Sequence, residues 1–234
     1  MKVVACVYWE GEFRGRELIY TPEWVYKLKR MTIKNMPADE AFRFVCFTNV
    51  PEKFDNTMET IPLIRNWEGW WSKLELFRAD VFEEGTRVLY LDLDSLVVKN
   101  LEPIINFDAP LAMFKGLHTK YFGTAFFNRQ KEYVVVRYSS TAIVWTVPAG
   151  REFYEGFDYN KIVVKKHIRG DQDWMAMCNP TYPFMPAEWI SKIKNLPEHK
   201  PKKDNIIVVP MQQGMPDKNV GAAKRYGWVR KIWV

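Results

Sequence analysis

TRVLYLDLDSLVVKN, from Thr86 to Asn100, opens as a buried strand. Val88, Leu89, Tyr90 and Leu91 form a continuous apolar run, too short for a helix of ordinary length and suited to a strand covered on both faces. Two carboxylates follow, Asp92 and Asp94, with Leu93 between them. In extended backbone, residues two apart point to the same side, so the two acids are expected to share a face at the carboxyl end of the strand. Desolvating both is costly, and they need water, bases or a divalent cation. Parallel α/β sheets bind ligands outside such strand ends. The plainer alternative is one Asp capping the next turn and a second one solvated.

The segment feeding this strand reads as a helix from Ser72 to Phe82, with Leu74, Phe77 and Val81 inward and Gly85 as its stop. Lys73 lies nineteen residues before Asp92, in the first turn of that helix. A helix antiparallel to the following strand starts beside the strand's carboxyl end. Lys73 is therefore expected to meet an anionic ligand held by a metal on Asp92 and Asp94, unless it is an ordinary solvated helix lysine.

Farther upstream, Lys2 to Trp9 reads as a first strand. Thr21-Pro22-Glu23 reads as N-cap, N1 proline and first-turn acid of a helix to about Asn35, ended by Pro37. Phe42 to Thr48 is a second strand and Ile61 to Leu63 a third, a β-α-β start long enough for parallel pairing. Downstream, Leu111–Phe114, Gly123–Phe127, Tyr133–Tyr138 and Thr141–Val147 read as strands. Pro148 to Gly150 turns into the segment Arg151–Phe157, and a last strand covers Ile206–Val209. The pattern is α/β, a single Rossmann-like domain over 1–234 with a mixed, mostly parallel central sheet flanked by helices.

The chain has 234 residues, 47% hydrophobic and 15% aromatic, enough for one sizeable core and not a disordered composition. No apolar run approaches a membrane span, and the start lacks a signal-peptide pattern. Three widely spaced cysteines, Cys6, Cys46 and Cys178, suit buried free thiols in a reducing, cytoplasmic compartment. Of the net +6, the segment from Trp189 to Val234 carries +7, ten bases against three acids, leaving −1 for the rest. A basic tail at about 217–234, interleaved with Tyr226, Trp228 and Trp233, suits phosphates or peripheral contact with an anionic membrane surface on its inner face. No nucleic-acid partner is expected.

Two further stretches carry polar chemistry. Gly170-Asp171-Gln172-Asp173-Trp174 brings acids and an amide to the start of a helix, where they could face the first pair across a cleft or simply cap it. Gln212 to Pro216 follows the last strand as a polar, glycine-containing loop. There is no G-x-S-x-G, Walker or G-x-G-x-x-G motif, and the three histidines form no ligand pattern.

The combination SKLELF, RVLYLDLDSLVVKNLEPI and GDQDW resembles GT-A-fold glycosyltransferases of the retaining family 8 type, which includes glycogenin and bacterial galactosyltransferases. The resemblance implies that Asp92 and Asp94 hold Mn²⁺ or Mg²⁺ on the diphosphate of a nucleoside diphosphate sugar, a UDP-sugar first. It implies that Leu93, Ser139, Ser140 and Lys73 line the donor, and that the end of the first strand, Val7, Tyr8 and Trp9, meets the nucleotide base. Asp171 and Gln172 match the Asp-Gln beside the transferred sugar. The family's closing motif supplies a His as third ligand and a Lys on phosphate. Here Gln213-Gly214-Met215-Pro216 takes its place, so Gln213, whose amide oxygen is neutral and hard, stands as the metal's third ligand. Ser139 stands where the family has Asn. The implied acceptor is a glycan or a lipid-linked sugar. Two other readings remain: a non-catalytic nucleotide- or glycan-binding protein, and a haloacid-dehalogenase-type phosphatase with Asp92 as nucleophile.

Overall fold

The structure, a computed structural model, describes residues 1–13, 15–17, 19–116, 124–127, 130–133, 138–168, 170–210 and 218–234. The chain opens with β1 (Lys2–Tyr8), the small hairpin β2 (Glu12–Phe13) and β3 (Arg16–Glu17), and α1 (Pro22–Asn35). β4 (Phe42–Thr48) and β5 (Glu59–Pro62) follow, then a 3-10 helix over Gly69–Phe77. β6 (Arg87–Leu91) carries the D-x-D stretch and leads through β7 (Leu96–Val97) to α2 (Glu102–Ile105) and β8 (Leu111–Lys115). The hairpin β9 (Thr124–Phe127) and β10 (Gln130–Tyr133) precedes β11 (Tyr138–Thr146). α3 (Arg151–His167), α4 (Asp171–Cys178), β12 (Ile190–Lys192), β13 (Ile207–Val209), α5 (Asn219–Arg225) and α6 (Gly227–Ile232) complete it.

The central sheet has the order β5-β4-β1-β6-β11-β8. β1, β4, β5 and β6 run parallel, and β11 runs antiparallel to both β6 and β8. From β1 the chain steps outward to β4 and β5, then crosses back to β6 on the other side of β1. The strand order therefore reverses between β1 and β6, and the crevice at their carboxyl ends is where such sheets take ligands. Alternate residues of β1 enter two cores: Val4 and Cys6 pack with Leu28, Ile104 and Val229, while Val3 and Ala5 pack with Leu74, Phe153 and Phe157. Cys6 and Cys46 lie opposite each other, buried on β1 and β4, and Cys178 is half-buried.

Several expectations change. The segment before β6 is a 3-10 helix that starts at Gly69 and ends at Phe77, not a helix from Ser72 to Phe82. Gly69 opens it at φ +58°, with Phe13 so close that a Cβ would lie 2.5 Å from its ring. Arg78 ends it by turning to donate to the Pro62 carbonyl at 3.0 Å. Ser139 and Ser140 sit inside one long strand, β11, rather than before one; residues 134–137 of the expected Tyr133–Tyr138 strand lie outside the described residues. α3 runs ten residues beyond Phe157, to His167.

The basic tail is not a tail. α5 and α6 pack Ala222 and Val229 into the core, and Trp233 meets Trp24 of α1 edge to face. Among the described residues no helix is long and apolar enough to cross a membrane.

Candidate active site

β6 ends at Leu91, and Asp92 to Ser95 form a turn in which the Ser95 amide donates to the Asp92 carbonyl at 2.9 Å. The backbone is no longer extended there, so the same-side rule does not apply to Asp92 and Asp94. Each acid meets a different lysine. Asp92 Oδ1 lies 2.8 Å from Lys73 Nζ, and Asp94 Oδ2 lies 2.7 Å from Lys218 Nζ. Leu93 between them is buried.

Lys73 projects from the 3-10 helix into a buried corner formed by the end of β6, β11 and the start of α4. Besides Asp92, its ammonium donates to Ser140 Oγ at 3.0 Å and lies 3.3 Å from Asp171 Oδ2. Tyr90, near the end of β6, lies under the Lys73 ammonium and donates its hydroxyl to Asp92 Oδ1 at 2.5 Å. Ser140 reaches the site because β11 and β8 lose register between Ser139 and Ile143. A bulge of this kind re-aims side chains; it also turns the Thr141 carbonyl to accept from the Asp92 amide at 2.8 Å. Ser139 points elsewhere, donating to Thr141 Oγ1 at 3.1 Å.

Asp171 is the first residue of α4 and is almost wholly buried, yet its Oδ2 has no well-formed hydrogen bond, with the Lys73 ammonium 3.3 Å away as an ion-pair partner. Buried polar atoms are rarely left so. Burial alone would pull the Lys73 ammonium down, but Asp171 and Asp92 outweigh it and hold its pKa above the ordinary lysine value. Burial pushes the Asp92 carboxyl up, with Asp94 adding to the rise and Lys73 and Tyr90 opposing it. Lys218 behaves like Lys73: burial lowers it, and Asp94 and Tyr20 more than restore it.

No family model and no curated protein matches the chain. Solved structures do. Galactosyltransferase LgtC, in complex with donor and acceptor sugar analogs, matches with a TM-score of 0.64 at 14% identity, over 100% of this chain and 95% of LgtC. Glycosyltransferase GlyE of Streptococcus pneumoniae matches with 0.64 at 11% identity, over 99% of this chain and 60% of GlyE. The bifunctional glycosyltransferase WbbM matches with 0.56 at 12% identity, over 98% of this chain and 50% of WbbM. The chain has the GT-A glycosyltransferase fold.

In this GT-A sheet the strand reversal between β1 and β6 places Asp92, Asp94, Lys73, Ser140 and Asp171 in one corner. Val7 and Trp9 send their side chains into one core and Tyr8 into the other. Trp9 donates to Asn66 and Tyr8 to Glu10. Gln172 is half-buried beside Asp171. Gln213 and the rest of its loop lie outside the described residues.

Reading along the chain misses Tyr90, Tyr20, Lys218 and Asn219. Tyr90 had a signal, since it lies two residues before Asp92 near the end of β6. Lys218, which also donates to the Tyr20 hydroxyl, comes from the segment read as a basic tail for phosphates or a membrane surface, not as a partner of the D-x-D turn. Asp92 and Asp94 supply the hard oxygen donors that Mn²⁺ or Mg²⁺ takes. No group of three His, Cys, Asp or Glu side chains gathers among the described residues. The charge balance leaves room for a cation: Asp92, Asp94 and Asp171 against Lys73 and Lys218 sum to −1. A diphosphate alone would deepen that negative charge, and a divalent ion arriving with it would not.

Proposed function

We propose that the chain transfers a sugar from a nucleoside diphosphate sugar, a UDP-sugar first, to a glycan or lipid-linked acceptor, with retention at the anomeric carbon. The observation that carries this reading is Lys73 held between Asp92 and Asp171 at the ligand-binding end of a GT-A sheet. Asp92 and Asp94 would hold Mn²⁺ or Mg²⁺, with Gln213 as a third oxygen donor. Such an ion supplies neutralisation of the charge that develops on the diphosphate leaving group.

The chain's own residues do the rest. Lys73 offers a fixed ammonium to the departing phosphates, desolvated and pre-aimed by Ser140 and Tyr90. Lys218 gives a second cation from the opposite side of the D-x-D turn. Asp171 Oδ2, buried with the Lys73 ammonium 3.3 Å away as its neighbour, would steady positive charge on the sugar as the glycosidic bond breaks. Gln172 orients the acceptor or the sugar hydroxyls. The Val7–Trp9 backbone borders the base, and Leu93 and Ser139 shape the floor of the site.

Lys224, Arg225, Arg230 and Lys231 are exposed on α5 and α6, and no acid lies among residues 218–234. That cationic face suits an acidic or lipid-linked acceptor at a membrane surface. Reversing these four charges is expected to weaken association with anionic vesicles while donor affinity stays. Equal vesicle binding would remove the membrane contact.

The ion pairs on both D-x-D carboxylates favour a second reading, a protein that binds a nucleotide or glycan without turnover. A thermal-shift screen of nucleoside diphosphate sugars with and without Mn²⁺, followed by a turnover assay on each donor that binds, decides between the two. Stabilisation without turnover selects the binding protein, and absence of any stabilisation by a nucleoside diphosphate sugar overturns the transferase reading. The phosphatase reading lapses with the fold, since three parallel strands precede β6 in a GT-A sheet.

A further inference from the structure

Asn219 is wholly buried at the start of α5, next to the lysine that pairs with Asp94. Oriented to satisfy both neighbours, its amide nitrogen donates to the Asp94 carbonyl at 3.1 Å, and its amide oxygen accepts from Trp233 Nε1 at 3.2 Å. Lys218 and Asn219 thus grip one residue of the D-x-D turn twice, at its carboxylate and at its main chain. Lys218 does so at φ +45°, a conformation L side chains rarely adopt and one that persists only where surrounding contacts over-determine it. Trp233 is in turn fixed by Trp24 on one side and by Lys27, whose ammonium lies 4.2 Å from its ring. A chain of contacts therefore runs from α1 through Trp233 and Asn219 to the backbone of Asp94.

We propose that Asn219 is a positioning residue: it sets the orientation of the Asp94 carboxylate toward the metal-diphosphate group by holding the Asp94 carbonyl. The proposal rests on the reading of Asp92 and Asp94 as the metal-diphosphate site. The indole bond sets which end of the amide faces the turn, and the amide's own bond to the Asp94 carbonyl is what holds the turn. Groups that orient a ligating carboxylate typically matter by about tenfold or more in metal affinity.

The test is the ratio of UDP affinity with and without Mn²⁺, measured by calorimetric titration in the full chain. Asn219→Ala loses both hydrogen bonds. Trp233→Phe loses only the indole bond and leaves the amide free to hold Asp94. The expected result is a ratio reduced about tenfold in Asn219→Ala and changed by less than about threefold in Trp233→Phe. A wild-type ratio in Asn219→Ala, or an equal loss in both variants, overturns the proposal and leaves Asn219 as a docking contact of the C-terminal helices. Should Asn219→Ala fail to fold, the isosteric Asn219→Asp keeps the bond from Trp233 and loses the one to Asp94. Its metal-free titration then corrects for the added charge, and the same tenfold fall or its absence decides. A wild-type protein in which Mn²⁺ strengthens no nucleoside diphosphate would instead sink the metal-site reading itself.

Discussion

Two buried ionic groups spring from the same short 3-10 turn, and they are finished differently. Glu75 and Arg78 form a closed set. Glu75 accepts from the Ile64 amide at 2.7 Å, from the Arg65 amide at 3.2 Å and from Arg78 at 2.9 Å. Arg78 spends its remaining donors on the Pro62 carbonyl and on Asp80. Two residues earlier, Lys73 serves a set that stays open. Asp171 Oδ2 lacks a hydrogen bond, and three carboxylates face two ammoniums. Burial alone does not separate structure from function here. Completeness does: a closed set locks the loop at Pro62 to Arg65 onto the turn, while an open one keeps charge in reserve for a ligand.

The sharpest way to break the comparison is to open the closed set. Glu75→Ala is expected to cost about 3–5 kcal/mol of stability, because Arg78 loses its buried carboxylate partner, keeping only the exposed Asp80, and the Ile64 and Arg65 amides lose their acceptor. Chemical denaturation measures it, and a loss under about 1 kcal/mol would mean that the pair is dispensable. Lys73→Met attacks the open set. Transfer should fall by about 10²–10³, the scale of about 2.7–4 kcal/mol for one pre-aimed charge partner, with a smaller loss of stability than Glu75→Ala shows. The two variants swapping these phenotypes would erase the distinction.

Asp94→Asn keeps the turn and removes the charge that pairs with Lys218. The Mn²⁺-dependent part of UDP stabilisation, about 2.7 kcal/mol at one hundred times Kd, should vanish in a thermal shift. If it survives, the metal lies elsewhere.

The smallest expected effect has the opposite sign. Asp92→Asn can still accept from Lys73 and Tyr90 but carries no charge to desolvate. Because burial raises the Asp92 pKa in the folded chain, the native state binds the proton more tightly than the unfolded state. That carboxyl's contribution is therefore complete at acid pH and is lost as pH rises through its folded pKa. The variant should be as stable as the wild type at acid pH and up to about 1 kcal/mol more stable near neutrality, while metal-dependent UDP binding is lost. A variant less stable at neutral than at acid pH, relative to wild type, would refute the sign.

Local patterns along the chain carried much of this. β4 over Phe42–Thr48 and α1 over Pro22–Asn35 follow from an apolar run and from an N1 proline with a first-turn acid. The D-x-D stretch follows a buried strand because Val88 to Leu91 can do little else. Lys73 stands at the carboxyl end of β6 because a connection that returns antiparallel to its strand must begin there, whether its backbone is α or 3-10.

The sequence by itself determined which strands are buried, that the sheet begins parallel, and that Asp92 and Lys73 meet where such a sheet takes ligands. Each of these depends on neighbours within a turn, a strand or one crossover. Only the tertiary structure decided that Asp92 and Asp94 part company in a turn, that a register break in β11 aims Ser140 at Lys73 across 67 residues of chain, and that the C-terminal bases are two packed helices. It alone set Lys218 on Asp94, with Asn219 behind it. The reason is physical: a charge pair between distant segments is made by the packing of whole elements on the sheet, and no local period records where that packing brings a side chain.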